Sequence, residues 1–219
     1  TGASSITIAV IDDGVDYSHE DMPTPSTGYT PANNGDGSPS ATDDGHGQLV
    51  AGLIMAQHDN NKGGKGVAPG VDYFSINIFA PNTSNADVAD GITWAVNQGA
   101  DILSNSWGFG SCTYSDASIA DAFTNAANNG RNGKGCPIFI ASGNDFQSCV
   151  SFPANLSNVI AVGGMAGDAD RSNFSNYGPA LDICAPSDDN WTTGPSGDYG
   201  CPSTDRMGSL GWTNDNYYM

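Results

Sequence analysis

The sequence predicts a single α/β domain over residues 1–219, with a mainly parallel central sheet and helices on both of its faces. Three observations predict it. Short, almost continuously apolar runs recur along the chain, segments with helical period lie between them, and turn-forming residues separate the two kinds. A length of 219 residues suits one domain with a sizeable core, and no shift in composition marks a second.

The first run, Ile6–Ile11 (ITIAVI), is β-branched and apolar at almost every position, the pattern of a parallel strand buried on both faces. Met22–Thr42 is rich in Pro, Gly, Ser and Asn and reads as a surface loop, followed by a helix that opens at His46. Leu49, Val50, Leu53 and Ile54 give that helix its apolar stripe. Tyr73–Phe79 is the next strand, and Val88, Ile92, Ala95 and Val96 mark a second helix. Asp101–Asn105 forms a strand, then Ile119, Ala120, Phe123, Ala126 and Ala127 a third helix, then Pro137–Ala141 and Asn158–Val162 two further strands. From Pro186 onward the composition is again that of a loop. Ligand sites in such folds gather at the carboxyl ends of the strands, so Asp12, Ser106 and Asn144 fall where chemistry is expected.

Six Lys and Arg stand against 24 Asp and Glu, for a formal net charge of −18, and Glu20 is the only glutamate. That charge repels phosphate backbones and anionic membranes, so neither nucleic acid nor membrane is an expected partner. No apolar run is long enough for a membrane span, and no charged start with an apolar stretch reads as a secretory leader; a secreted protein would already have lost that segment. The cysteines Cys112, Cys136, Cys149, Cys184 and Cys201 include no C-x-x-C pair, which argues against zinc or thioredoxin-like chemistry and for disulfides in an extracellular setting. Their pairing is open, and an odd count leaves one thiol unpaired or bonded outside the chain.

Three segments carry the candidate chemistry. AVIDDGVD (9–16) ends a buried strand on a carboxylate, DGHGQLVAG (44–52) opens a helix on a histidine, and IASGND (140–145) ends a strand on an amide. Each alone has a plainer reading: an Asp-Asp-Gly turn, a helix-start histidine, a Gly-Asn turn. Together and in this order they resemble the subtilisin-like serine proteases, the subtilases. That resemblance implies a three-layer subtilisin-like fold, with Asp12 as the triad acid, His46 as the general base and Asn144 as an oxyanion donor in the segment that also holds Ser142 and Gly143. Gln48 and Leu49 replace the Thr and second His of the family's His-Gly-Thr-His stretch. His19 and His58 lack a comparable setting and are expected at the surface.

SNSWGFG (104–110) resembles the family strand that pairs with the peptide substrate, which implies that Ser106, Trp107 and Gly108 form a wall of the groove. SFPANLSNVIAVGG (151–164) and RSNFSNYGPALDICAP (171–186) extend the likeness as scaffold. Asp12-Asp13 is most similar to the bacterial kexin-like branch, where the second acid faces the substrate; a solvated turn acid is the plainer reading of Asp13. Phe109, Gly110 and Ser111 stand where that branch carries acidic residues, so a preference for arginine or lysine at the cut is not expected. The resemblance also implies a structural calcium ion held by Asp21 and the loop Asn60, Asn61 and Gly64, an oxygen donor set suited to that ion. No organic cofactor is implied.

The likeness breaks at the nucleophile, since no Gly-Thr-Ser-x-Ala sequence is present. Ser209 in MGSLGW is not expected to replace it, because polar and aromatic residues rather than a buried helix follow. STDRMGSLGWTNDNYY resembles a segment that precedes the nucleophile in bacterial kexin-like relatives, and the pattern would place the serine shortly after Met219. Thr1-Gly2-Ala3 enters the first strand without the segment that commonly precedes it. The expectation is therefore an internal piece of a longer precursor, nearly inert alone, whose remainder carries the serine. The function expected is a secreted, calcium-stabilised endopeptidase acting on peptides or proteins. The alternatives are an inactive subtilisin-fold binding or structural module and an acidic calcium-binding surface protein.

Overall fold

A computed structural model of the chain describes residues 5–167, 169–188, 201, 203–210, 212 and 216–218. The apolar runs become β1 (Thr7–Asp12), β3 (Asp72–Asn77), β4 (Ile102–Asn105), β5 (Ile138–Ala141) and β6 (Ile160–Ala166). The segments with helical period become α1 (His46–Met55), α2 (Asn85–Asn97) and α3 (Ala117–Gly133). The sequence expectation missed β7 (Ile183–Asp188), the two-residue strands β8 (Ser203–Thr204) and β9 (Tyr217–Tyr218), and β2 (Thr27–Tyr29) inside the expected surface loop. β2 pairs with β3 along the sheet edge, and Met22 and Thr30 near it are buried. Three residues are too few to show a period of two, so composition alone hides such a strand. Thr1–Ala3, Met219 and much of the stretch after Pro186 lie outside the described residues.

The main sheet runs β2-β3-β1-β4-β5-β6-β7, and every pairing in it is parallel. The chain leaves β1 toward β3 by way of α1, then returns past β1 to β4 by way of α2. This reversal of direction sends α1 to one face and α2 and α3 to the other. On the α2–α3 face, Ala9, Ile11, Ile76, Leu103, Ile138 and Ile140 pack with Ile92, Ile119 and Phe123. On the α1 face, Ile8, Val10 and Tyr73 pack with Ala51 and Met55. Alternate residues of β1 thus serve two different cores, which is why its sequence is apolar without alternation.

Two features of the fold direct attention to one edge. The reversal leaves a crevice at the carboxyl ends of β1 and β4, the place where open α/β sheets bind ligands. Beyond it, on the α1 side of β4–β7, Phe139, Ala141, Val162, Ile183 and Ala185 line an open groove of about 430 Å³, and Ile183 remains 47% exposed.

Candidate active site

Asp12 is the last residue of β1 and is 1% exposed; His46 is the first of α1, its ring 41% exposed. Asp12 Oδ1 lies 2.8 Å from His46 Nδ1, and the Asp13 amide donates to the same oxygen at 2.8 Å. The buried side of the ring is thereby fixed, and the edge carrying Nε2 is turned away from the carboxylate. Burial works against the imidazolium, but the hydrogen bond to Asp12 and then the charges of Asp12 and Asp13 outweigh it and raise the His46 pKa above the ordinary histidine value. Among the described residues no serine hydroxyl is hydrogen-bonded to His46, and Ser209 sits in an exposed turn.

A groove of about 410 Å³ opens beside the pair, lined by Asp12, Asp13, Asp44, His46, Phe79 and the segment Ser106–Gly108. Ser106 is half-buried and Gly108 exposed, whereas the Trp107 ring turns inward to stack on Phe123 at 6.1 Å. Ser106 also borders the larger groove, together with Ser142 and Asn144. The acid, the base and the amide thus line two grooves that share one wall.

Asn144 is exposed and lies beyond the end of β5. What holds its loop is Asn176, wholly buried, whose Oδ1 accepts the amides of Asp145 at 3.0 Å and Gln147 at 2.9 Å. Asn176 Nδ2 donates to Ser142 O at 3.2 Å and to Ser151 Oγ at 3.0 Å. Gly143, at φ 105°, passes so close that a Cβ there would lie 2.4 Å from Asn176 Nδ2, so only glycine fits both the conformation and the space. Ser142 Oγ is committed to the scaffold at Asn176 O, 3.3 Å away. The disulfide Cys112–Cys149 ties this loop to the one that follows Gly108, while Cys136, Cys184 and Cys201 are free thiols.

Asp13 is not the solvated turn acid of the plainer sequence reading. It borders the groove but is 9% exposed, and its carboxylate accepts the amides of Gly45, His46 and Gly47. Burial first, then the Asp12 charge, raises its pKa against the opposing pull of those three bonds. The expected surface position of His19 is also corrected: the ring is 3% exposed, contacts Asn216 O at 2.7 Å and packs edge-on against Tyr217. The partner that buries it lies 197 residues further on, beyond any local signal. His58 is exposed, as expected.

At the expected metal position, Asp21 is wholly buried; Oδ1 accepts from Asn60 at 2.6 Å and Oδ2 has no hydrogen-bond partner. A buried carboxylate oxygen without a donor is costly, and a cation is one group that satisfies it. Gly63 stands against that oxygen, a Cβ there falling 2.5 Å from it, whereas no hydrogen bond joins Asn61 or Gly64 to Asp21. No cluster of three acidic, His or Cys side chains that could hold a metal is found among the described residues, so an ion here would rely on amide and carbonyl oxygens around one carboxylate. Oxygen donors suit calcium, whereas the Asn60 amide turns its nitrogen to Asp21 here.

Sequence reasoning missed three residues. Phe79, 53% exposed, lines the groove beside His46; Trp212, 50% exposed, lies with its ring 6.1 Å from the His46 ring; and Asn176 organises the Asn144 loop. An exposed aromatic beside a strand end was a signal for Phe79. Asn176 gave none, because its partners lie 25 to 34 residues away.

A buried carboxylate and an imidazole thus meet at the switch point of the α/β sheet, beside an open groove. The comparisons with known proteins specify the class. The model of the subtilase family matches residues 3–217, and the chain belongs to that family. It is 31% identical to thermitase of Thermoactinomyces vulgaris, over 93% of this chain and 71% of that protein. It is 34% identical to a calcium-dependent protease of Trichormus variabilis over 95% of this chain, but spans only 33% of that relative's length. A protease structure from Pseudoalteromonas arctica superposes with a TM-score of 0.82 at 26% identity, covering 98% of this chain and 72% of the other.

Proposed function

We propose that this chain is the acid- and base-bearing part of a secreted, calcium-stabilised serine endopeptidase. The observation that carries the reading is the 2.8 Å contact of Asp12 Oδ1 with His46 Nδ1 at the sheet's switch point. Asp12 holds the ring in the tautomer that leaves Nε2 free to accept a proton, and stabilises the imidazolium that results. His46 takes that proton from a serine hydroxyl and later returns it to the leaving amine. Asn144 donates to the oxygen that becomes negative in the tetrahedral intermediate, at no change in its own protonation. Ser106 and Gly108 offer backbone to an extended peptide, the Trp107 ring anchors that backbone in the core, Ser142 lines the opposite wall, and Gly143 gives the turn that carries the chain from it to Asn144.

The serine is assigned to a segment of the same precursor outside this chain. The apolar groove over β4–β7, open beside Asn144 among the described residues, is consistent with this, since parallel sheets are ordinarily covered on both faces. Calcium would be held by Asp21, by one Asn side-chain oxygen and by carbonyls of the loop Asn60, Asn61 and Gly64, where it would neutralise a buried charge and contribute rigidity rather than a chemical step. The high acidity and the disulfide Cys112–Cys149 support an oxidising, extracellular location.

The test is labelling with a fluorophosphonate, which reacts with an activated serine. The full-length protein is expected to label at a serine other than Ser209, and His46→Ala to abolish labelling. Absence of label on the full-length protein would favour an inactive binding module, and label at Ser209 would refute the assignment of the nucleophile.

A further inference from the structure

We infer that Asp13 is a positioning residue for His46: two consecutive acids grip one histidine, Asp12 by its ring and Asp13 by the main chain from which it projects. The inference rests on His46 being the general base. α1 opens with Gly45 as its N-cap, which has no side chain to cap with, and its first turn carries no acid. α2 and α3, by contrast, are capped from within their own sequence by Ser84 and Asp116. The first amides of a helix need acceptors, and α1 takes its acceptors from the residue that follows β1 instead. Asp13 Oδ2 accepts Gly45 N at 2.9 Å and His46 N at 3.0 Å, and Oδ1 accepts Gly47 N at 2.6 Å.

Adjacent residues at a strand end point to opposite sides, so Asp12 can reach the imidazole while Asp13 reaches the amide of the same residue. Gly47 makes the grip possible, since a Cβ there would lie 2.5 Å from Gly14 O and 2.9 Å from Asp13 Oδ1. With three amides bound, about one of a carboxylate's four acceptor sites remains. Little is left to recognise a basic residue of a substrate. The negative charge also favours the positive end of the helix and adds to the raised pKa of His46. The charged groups lining the groove around His46 are Asp12, Asp13 and Asp44; on the hairpin side the Arg206 guanidinium is held on the carbonyls of Ala41 and Asp44.

The test compares Asp13→Asn and Asp13→Ala with the unmutated full-length protein. In Asp13→Asn, turnover per fluorophosphonate-titrated site is expected to fall by about ten- to a hundredfold with KM little changed. The His46 ring, followed by NMR, is expected to titrate at lower pH. Unchanged turnover per site together with an unchanged His46 titration overturns the inference, even if thermal stability drops. A raised KM confined to substrates with a basic residue beside the cut, with turnover kept, also overturns it by assigning Asp13 to the substrate. Should both variants fail to fold, the unmutated protein decides: the amide shifts of Gly45, His46 and Gly47 are expected to follow one common acid transition, and independent behaviour refutes the grip. If the full-length protein takes up no fluorophosphonate, the general-base reading fails, while the His46 titration still reports whether Asp13 holds it.

Discussion

The two halves of the site are built on opposite plans. On the β1–α1 side, the chemical side chains touch each other: Asp12 bonds the His46 ring, and Asp13 bonds the amides beneath it. On the β5 side, Asn144 is left exposed, and the rigidity belongs to its neighbours, with Asn176 tying four groups and Cys112–Cys149 bracing the loop. A proton relay needs its members in contact before substrate arrives. An oxyanion donor must instead stay unpaired until charge develops, so only its backbone can be fixed in advance.

That contrast can be broken from either side. The largest effect is expected from Asp12→Asn, which presents an amide to the ring and favours the wrong tautomer: turnover of the full-length protein should fall roughly ten-thousandfold in a steady-state peptide assay. Asn144→Ala should cost about a hundred- to a thousandfold in turnover with KM nearly unchanged, and with no loss of melting temperature, because the side chain supports nothing in the resting fold. An equal loss of stability in that variant would refute the idea of a donor kept in reserve.

Asn176→Ala reverses those signs. It removes the acceptor of the Asp145 and Gln147 amides and the donor to the buried Ser142 carbonyl and Ser151 hydroxyl, so a stability loss of about 1–3 kcal/mol per stranded buried group is expected in denaturant titration. The smallest effect is in pH dependence. Because the Asp12 bond and the two nearby carboxylates raise the His46 pKa, the base is free only at higher pH. The rate of fluorophosphonate labelling should therefore climb with pH through a midpoint above that of an ordinary histidine, and a midpoint at or below that value would count against the coupling.

Much of this was legible in the chain. The strands and helices that form the sheet's centre were visible because each is long enough to show its apolar pattern, and Asp12 and His46 stood out because motif order ties them together. β2, β7 and the β8–β9 pair were not, since short or edge strands share the composition of loops. The cap that Asp13 supplies was hidden for a different reason. An acid beside another acid at a strand end reads as a turn or a substrate contact, and nothing local says that a helix 32 residues later lacks a cap.

The sequence by itself determined the alternation of apolar strands and amphipathic helices, the acidity, the absence of a Gly-Thr-Ser-x-Ala motif, and the three segments that carry Asp12, His46 and Asn144, because these are properties of residue type and short-range spacing. Tertiary structure alone decided what each polar group serves: that Asp13 caps α1, that His19 is buried under Tyr217, that Asn176 holds the Asn144 loop, and that Cys112 meets Cys149. Hydrogen bonds and disulfides are selective in space but indifferent to separation along the chain, so their partners are fixed only once the sheet brings distant segments together.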